Sequence, residues 1–219
     1  MASATGQRTR VKMCGTTRPE DARAAVRYGV DALGFIFYDK SPRYIPYEKA
    51  ARIIAELPPL VDRVGVFVGA PIGEVVTTAA KVGLSALQLH GRETVDYCRE
   101  IRRQLPHCRI IKAFRVSGES RPELFSPYNE WVDAFLLDTY VPGASGGTGK
   151  VFDWSVIERL KLQRPVFLAG GLSPENVLDA IARVRPFAVD INSGIESQPG
   201  VKDHLRLKEL LRMVYQAAL

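Results

Sequence analysis

Short apolar runs and helical segments alternate along the sequence, and this alternation constrains the fold more than any other feature. Eight runs rich in β-branched and aromatic residues are typical of buried strands. They are VKMCG, ALGFIFY, RVGVFV, ALQLH, RIIKAFRV, AFLLDT, PVFLAG and FAVDINSG. Strands joined through helices lie parallel, because each helix returns the chain to the same end of the sheet. The sequence therefore predicts an α/β protein with parallel strands.

Helical periodicity follows most of these runs. Clear examples are PEDARAAVRYG, YEKAARIIAEL and PENVLDAIARV. The fifth helix, around RPELFSPYNEW, is the weakest prediction because Pro127 interrupts it. The last helix carries an apolar stripe at helical spacing. The residues of this stripe are Leu207, Leu210, Leu211 and Val214.

Eight strand–helix repeats predict a single (β/α)8 barrel, the TIM-barrel architecture. A doubly wound open sheet is the main alternative. No strand is followed by the GxGxxG turn expected of a dinucleotide-binding sheet, so the closed barrel is favoured. The length of 219 residues suits one such domain. We expect residues 1–10 to form a flexible tail and residues 11–219 to form the barrel.

The N-terminal sequence and the cysteines bear on where the protein works. MASATGQRTR is polar and lacks the apolar core of a signal peptide, and no apolar run approaches the length of a membrane span. We therefore expect a cytoplasmic protein with no membrane partner. Cys14, Cys98 and Cys108 are widely spaced with no CxxC pair, which supports neither a disulfide framework nor a metal site.

The net charge of +6 and the isoelectric point near 9.3 suggest an anionic partner. Nucleic acid and a phosphorylated small molecule are both candidates. The basic residues are scattered along the predicted helices and form no continuous run. A nucleic-acid-binding domain is therefore disfavoured, and the phosphorylated small molecule is the expected partner.

Polar residues stand at or near the carboxyl ends of four predicted strands, where barrels place their active sites. Cys14 ends the first strand, and His90 ends the fourth, with Gln88 on the same face. Asp138 ends the sixth strand and Asp190 lies near the end of the eighth. Each residue alone has a structural explanation, as a buried thiol, a supporting histidine or a capping carboxylate. Together they predict an active site.

The first strand raises a particular question, because Lys12 and Cys14 share one face of it. A thiol is a stronger base when ionised, and a neighbouring ammonium favours the thiolate. Lys12 would then prepare Cys14 for proton abstraction. The alternative is that Lys12 pairs with a carboxylate such as Asp190 and perturbs the thiol less.

The loops after the seventh and eighth strands predict a phosphate site. In LAGGLSPENV, Gly170 and Gly171 allow close backbone approach, and Ser173 followed by Pro174 is expected to start a helix. The segment NSG, residues 192–194, follows the eighth strand. Barrels often bind phosphate between these two loops.

The segment PGASGGTGKVFDW resembles a nucleotide-binding P-loop only superficially. Ala144 replaces the first glycine of that pattern, and Val151 follows Lys150 where serine or threonine is required. We expect a flexible loop that closes over the barrel mouth.

Motifs in a fixed order give the chain a family resemblance. They are VKMCGTTRPEDA, GFIFYDKSPRYI, GVFV, LQLHG, LLDT, GGTGKVFDW, LAGGLSPENV and DINSGIESQPGVKD. They span essentially all of the chain after the N-terminal tail. In these motifs the sequence resembles the phosphoribosylanthranilate isomerases of tryptophan biosynthesis. It departs from the family at Asn192, where a DxSSG pattern is more common.

The resemblance implies a cofactor-free Amadori rearrangement of N-(5'-phosphoribosyl)anthranilate. The product would be 1-(2-carboxyphenylamino)-1-deoxyribulose 5-phosphate. In the family pattern Cys14 corresponds to the general base and Asp138 to the general acid. Arg43, from SPR, would hold the anthranilate carboxylate.

The resemblance also places the substrate phosphate at the glycines of the last two loops. The residues concerned are Gly170, Gly171, Ser193 and Gly194. The related isomerase of histidine biosynthesis is disfavoured because that family uses two aspartates, whereas Cys14 stands on the first strand here. Either a monomer or a homodimer is compatible with the sequence.

Overall fold

Eight parallel strands close into a barrel in the computed structural model, which describes residues 8–139 and 153–216. Each strand pairs with the next along the chain, and the eighth pairs with the first. The predicted closed barrel is therefore confirmed, and the open sheet is excluded. The strands are β1 Arg10–Met13, β2 Ala32–Ile36, β3 Asp62–Phe67, β4 Ala86–Leu89, β5 Arg109–Arg115, β6 Ala134–Asp138, β7 Val166–Ala169 and β8 Ala188–Ile191.

Helices connect most of the strands on the outside of the barrel. They are α1 Pro19–Arg27, α2 Tyr47–Ala55, α3 Ile72–Val82, α4 Val95–Gln104, α5 Ser155–Arg159, α6 Val177–Val184 and α7 His204–Gln216. After β5 the connection consists of two short 3-10 turns, Pro122–Leu124 and Ser126–Tyr128. Pro127 lacks the N–H that a continuous α-helix would require there, as the sequence indicated.

The α6 helix begins later than predicted. It begins at Val177 and not directly after Ser173 and Pro174. The Asn176 side chain closes the intervening turn, since it accepts a hydrogen bond from the Ser173 N–H at 2.9 Å and donates one to the Gly171 carbonyl at 3.0 Å. Asparagine commonly forms such local bonds to the backbone, which compete with helical hydrogen bonds.

Two predicted mobile segments fall largely outside the described residues. Residues 1–7 of the predicted tail are outside them, whereas the Arg8 guanidinium donates to the Asp31 carboxylate at 2.8 Å and β1 begins at Arg10. Residues 140–152, which include most of PGASGGTGKVFDW, also lie outside them. No helix within the described ranges is long and apolar enough to cross a membrane.

The strands bury different kinds of side chain on their two faces. The outer face packs large residues such as Leu33, Phe67 and Phe135 against the helices. Inside the barrel lies a second cluster made mostly of small residues. It consists of Ala32, Val64, Ala86, Ile111, Ala113, Ala134, Leu136 and Ala169. Because strand side chains alternate, Lys12 faces the interior between the outward-facing Val11 and Met13.

The predicted apolar stripe of the last helix, α7, faces the interior of the protein. All four of its residues are buried, with Leu211 only 1% exposed, whereas Leu205 on the same helix is 79% exposed. We expect Leu211→Ala to lower the free energy of unfolding by about 2–5 kcal/mol, because it removes buried atoms and leaves a cavity. Leu205→Ala should change it by less than about 0.5 kcal/mol. Urea unfolding of both variants measures the difference, and equal losses would contradict this packing.

Candidate active site

Strand alternation places the predicted residues on the interior face near the carboxyl ends of the strands. Asp190 lies between Val189 and Ile191, which both pack outward against the helices. Asp138 follows the outward-facing Leu137 and shares the face of the interior Leu136. Cys14 directly follows β1 on the face of Lys12. The predicted cluster is therefore assembled at one end of the barrel, its mouth.

Lys12 and Asp190 form a buried ion pair at the closure of the barrel. They are register partners between β1 and β8, and the Lys12 Nζ lies 2.8 Å from the Asp190 Oδ1. Their side chains are 1% and 7% exposed. Burial opposes the charge of Lys12, but Asp190 and Cys14 outweigh it, so the pKa of Lys12 is raised. Lys12 therefore remains an ammonium ion inside the barrel.

The Cys14 thiol is also buried, and burial raises its pKa above the ordinary value. The Lys12 ammonium acts in the opposite direction and lowers the pKa of the thiol, while Asp190 reinforces the effect of burial. Lys12 therefore pairs with Asp190, as in the alternative considered from the sequence, and also acts on the charge of Cys14. The pKa of Cys14 is therefore raised, whereas Lys12 alone would lower it. Desolvation outweighs the effect of Lys12 because Asp190 already compensates the charge of that cation.

Gly34 on β2 provides the space for this group. A Cβ atom at Gly34 would lie 2.8 Å from the Cys14 Sγ and 3.1 Å from the Lys12 Nζ. Any larger residue would displace the thiol or the ammonium. The absence of a side chain at this position therefore allows both groups to face the interior.

Asp138 faces His90 across the mouth. The His90 Nε2 lies 3.9 Å from the Asp138 Oδ2, which is too long for a hydrogen bond but close enough for charge interaction when the ring is protonated. The Gln88 Nε2 lies 2.8 Å from the His90 Nδ1. The predicted sharing of one face by Gln88 and His90 is thus a direct contact, and it orients the ring toward Asp138.

Arg43 has a protein partner that the sequence did not reveal. It lies in the loop between β2 and α2, where its Nε is 3.0 Å from both carboxylate oxygens of Glu196 and its Nη2 is 2.6 Å from Oε2. The Lys202 Nζ lies 2.9 Å from the Glu196 Oε1 and 2.8 Å from the Asn192 Oδ1. Asn192, the departure from the family pattern, therefore takes part in a polar network beside Arg43.

Glu196 and Lys202 stand on a small antiparallel hairpin that precedes α7. Its strands are β9 Glu196–Gln198 and β10 Val201–Lys202, and Lys202 is the register partner of Glu196. The segment ESQPGVK contains a Pro-Gly turn between a glutamate and a lysine, which is a signal for a hairpin with an ion pair across it. That signal could have identified the pair.

The loops after β7 and β8 contact each other at the predicted phosphate residues. Gly170 and Gly171 have φ angles of 106° and 70°, which favour glycine. Gly194 instead requires glycine for space, because a Cβ there would lie 2.0 Å from the Leu172 carbonyl oxygen. Ser193 and Gly194 belong to a 3-10 turn, Ser193–Ile195. The two glycine segments thus lie side by side.

The described residues include no group of three or more histidine, cysteine, aspartate or glutamate side chains placed to hold a metal ion. All three cysteines are free and buried.

Comparisons with known proteins agree on one family. The sequence model described as N-(5'phosphoribosyl)anthranilate (PRA) isomerase matches residues 11–213. The N-(5'-phosphoribosyl)anthranilate isomerase of Citrifermentans bemidjiense is 49% identical over 211 residues, which cover 96% of this chain and 99% of that protein. The crystal structure of phosphoribosyl anthranilate isomerase from Thermotoga maritima has a TM-score of 0.85 and 47% identity, and the match covers 95% of this chain and 99% of that one.

A second solved phosphoribosyl anthranilate isomerase is in complex with reduced 1-(o-carboxyphenylamino)-1-deoxyribulose 5-phosphate. It is 44% identical with a TM-score of 0.82, over 95% of this chain and 99% of that one. The fold and these relatives define an intramolecular isomerase built on a (β/α)8 barrel. The chain belongs to the N-(5'-phosphoribosyl)anthranilate isomerase family of tryptophan biosynthesis.

The raised pKa of Cys14 predicts its ionisation directly. An unperturbed thiol has a pKa of about 8.5, and a raised value means that the Cys14 thiolate forms only at higher pH. Subtracting the ultraviolet thiolate titration of folded Cys14→Ser from that of the unmodified protein isolates this residue. We expect the midpoint of the difference to lie above about 8.5. A midpoint at or below that value would mean that Lys12 outweighs burial.

Proposed function

We propose that Cys14 and Asp138 carry the two proton transfers of the Amadori rearrangement of N-(5'-phosphoribosyl)anthranilate. The observation that supports this most is their placement on the interior face of the barrel mouth. Cys14 follows β1 and Asp138 ends β6, and these two strands are not neighbours in the closed sheet. A substrate bound in the mouth can therefore meet a base and an acid from different sides.

In the first step Asp138, in its protonated form, donates a proton to the ring oxygen of the ribose. The bond between this oxygen and C1' breaks as the nitrogen lone pair forms a C1'=N bond. The ring opens, and a protonated Schiff base results. Asp138 is left as a carboxylate facing His90.

In the second step Cys14, as the thiolate, removes the proton from C2'. The electrons of the C–H bond form a C1'=C2' bond while the C1'=N π electrons return to the nitrogen. The resulting enolamine then takes up a proton at C1' and loses the proton of its C2' hydroxyl, which gives the ketone product. Burial raises the pKa of the thiol in the free protein, so the thiol must first release its proton to solvent. The protonated Schiff base places a positive charge near Cys14 in addition to Lys12, and positive charge stabilises the thiolate. The Cys14 thiolate is thus stabilised most when the protonated Schiff base, which carries the C2' proton to be removed, is bound.

The two anionic groups of the substrate are assigned to different loops at the mouth. Arg43 in the loop after β2 would bind the anthranilate carboxylate, since a guanidinium suits a planar carboxylate. The loops after β7 and β8, with Gly170, Gly171, Ser193 and Gly194, would bind the phosphate through backbone N–H groups. The ligand held by the solved relative carries a carboxyphenyl group and a phosphate, as this arrangement requires.

The proposal extends to assembly and location. A Thermotoga maritima relative, 42% identical to this chain, is described as dimeric phosphoribosylantranilate isomerase from which monomers were generated. A homodimer is therefore the assembly to test first by sedimentation, with the monomer as the alternative. A cytoplasmic location fits an enzyme of amino-acid biosynthesis.

Cys14→Ala tests the general base. We expect kcat to fall roughly a hundredfold to ten-thousandfold, while binding of the reduced product changes little, because the thiol acts on a proton and does not hold the substrate. Loss of fluorescence of freshly generated phosphoribosylanthranilate measures the turnover. Equal turnover in the variant and the unmodified protein would retain the isomerase and discard Cys14. If both proteins are folded and inactive, the histidine-pathway substrate should be tested next.

Arg43→Ala tests recognition of the carboxylate. Loss of a charge-assisted contact should weaken binding of the reduced product by about 1.5–3 kcal/mol. The same variant should bind an analogue made from aniline, which lacks the carboxylate, almost as well as the unmodified protein does. Calorimetric titration with both compounds measures the two affinities. An equal loss for both would assign Arg43 a structural role.

A further inference from the structure

The Arg43 guanidinium presents two hydrogen-bonding edges, and Glu196 occupies only one of them. The carboxylate of Glu196 contacts the Nε and Nη2 atoms at 2.6–3.0 Å. Among the described residues, Nη1 has no hydrogen-bond partner. A guanidinium carries five donors in a rigid planar fork. The edge formed by Nη1 and the second hydrogen of Nη2 therefore remains available for another carboxylate.

Glu196 is itself held firmly. Its side chain is only 4% exposed, and that of its partner Lys202 is fully buried. The Lys202 ammonium donates to Oε1 at 2.9 Å, and the Gly200 N–H donates to the same oxygen at 3.1 Å. Lys202 and Glu196 are also register partners in the two-stranded hairpin. The carboxylate is thus fixed by the backbone as well as by charge.

The stem of Arg43 is fixed as well. A Cβ atom at Gly15 would lie 2.8 Å from the Arg43 Cδ, so the stem runs across the backbone immediately after Cys14. The φ angle of Gly15 is 71°, which also favours glycine there. The guanidinium is therefore held along one edge by Glu196, and its stem lies next to the residue that follows the proposed base.

The charges of this network leave room for one further anion. Arg43 and Lys202 are two cations, and Glu196 is the one carboxylate that pairs with them within the described part of the chain. Burial lowers the pKa of Lys202, and Glu196 acts against that effect. The remaining positive charge lies at the more exposed end of the network, because the Arg43 side chain is 19% exposed. A bound carboxylate would neutralise it.

We propose that Glu196 is a positioning residue that directs the Nη1/Nη2 edge of Arg43, and that this direction selects substrates whose carboxylate lies ortho to the amine nitrogen. This inference rests on the proposed role of Arg43. In an ortho compound the aromatic ring fixes the carboxylate close to the nitrogen, and hence close to the reacting C1' and C2'. In a meta compound the carboxylate lies one ring position farther from the nitrogen. A guanidinium held by Glu196 cannot turn to follow it, whereas a released arginine can.

Binding selectivity tests this inference better than affinity alone. The probes are the reduced products made from 2-aminobenzoate, 3-aminobenzoate and aniline, titrated by calorimetry. We expect the unmodified protein to prefer the ortho compound over the meta compound by about tenfold or more, since one well-placed charge-assisted contact is worth that much. In Glu196→Gln an NH2 group replaces one acceptor oxygen, and the preference should fall to about threefold or less. If the substitution acted only through a general gain of positive charge, both compounds would bind more tightly and the ratio of their affinities would not change.

Glu93→Gln is the matched control. Glu93 is also a buried glutamate, and its Oε2 lies 3.0 Å from the Lys112 Nζ. Both substitutions neutralise one partner of a buried ion pair, and both should lower the melting temperature. Only Glu196→Gln should change the ortho-to-meta ratio. A similar change in both variants would show that reduced stability is the cause.

Two further measurements separate the possible failures. Glu196→Asp retains the charge but retracts the carboxylate, so its ratio should lie between those of the unmodified protein and Glu196→Gln. If Arg43→Ala retains the full preference for the ortho compound, the proposed role of Arg43 fails. If Arg43→Ala loses the preference while both Glu196 variants retain it, only the positioning role fails.

A crystal structure of the unmodified protein with the ortho compound requires no variant to fold. Glu196 should remain on the Nε/Nη2 edge while the ligand carboxylate occupies the Nη1/Nη2 edge. Displacement of Glu196 by the ligand would overturn the inference.

Discussion

The pairing of β1 with β8 is the constraint on which the rest of this molecule depends. It closes the sheet, so every residue on the inner face is enclosed and any charge there needs a partner. Lys12 and Asp190 meet that requirement because the register sets them opposite each other. Such a pair adds little net stability, whereas removing one partner is costly. Its main consequence is therefore a permanent cation inside the barrel beside Cys14.

A buried cation and a buried thiol influence each other in both directions. The enclosed surroundings strengthen the attraction between Lys12 and a thiolate, but they also penalise forming the thiolate. In the free protein the penalty is larger, and the pKa of Cys14 is raised. The Cys14 thiolate would therefore form more readily when further positive charge lies nearby. The protonated Schiff base of the proposed reaction supplies such a charge.

The ion pair between Glu196 and Lys202 is also buried. It is fixed inside a hairpin, and its carboxylate also contacts the more exposed Arg43, whose orientation we propose it controls. The two ion pairs thus have different proposed effects on the residues at the barrel mouth. In the proposed function, Lys12 and Asp190 set the electrostatics around the Cys14 thiol, and Glu196 and Lys202 set the orientation of Arg43 toward the substrate carboxylate.

Local sequence patterns predicted the elements of the barrel and the residues on its inner face. Strand alternation depends only on residue spacing, so the positions of Cys14, Asp138 and Asp190 at the mouth followed from it. Patterns with competing local interactions were less certain. Pro127 correctly weakened the helix after β5, but the Asn176 side chain delayed the start of α6 in a way that Ser173 and Pro174 did not reveal.

The sequence by itself determined the fold class, the resemblance to one family and the set of polar residues at the strand ends. Only the tertiary structure decided how those residues pair. The separation between Lys12 and Asp190 along the chain is large, and strand register alone brings them to 2.8 Å. Arg43 and Glu196 likewise come from distant loops. Burial, which sets the direction of the Cys14 pKa, is a property of all the surrounding elements together, and no local segment encodes it.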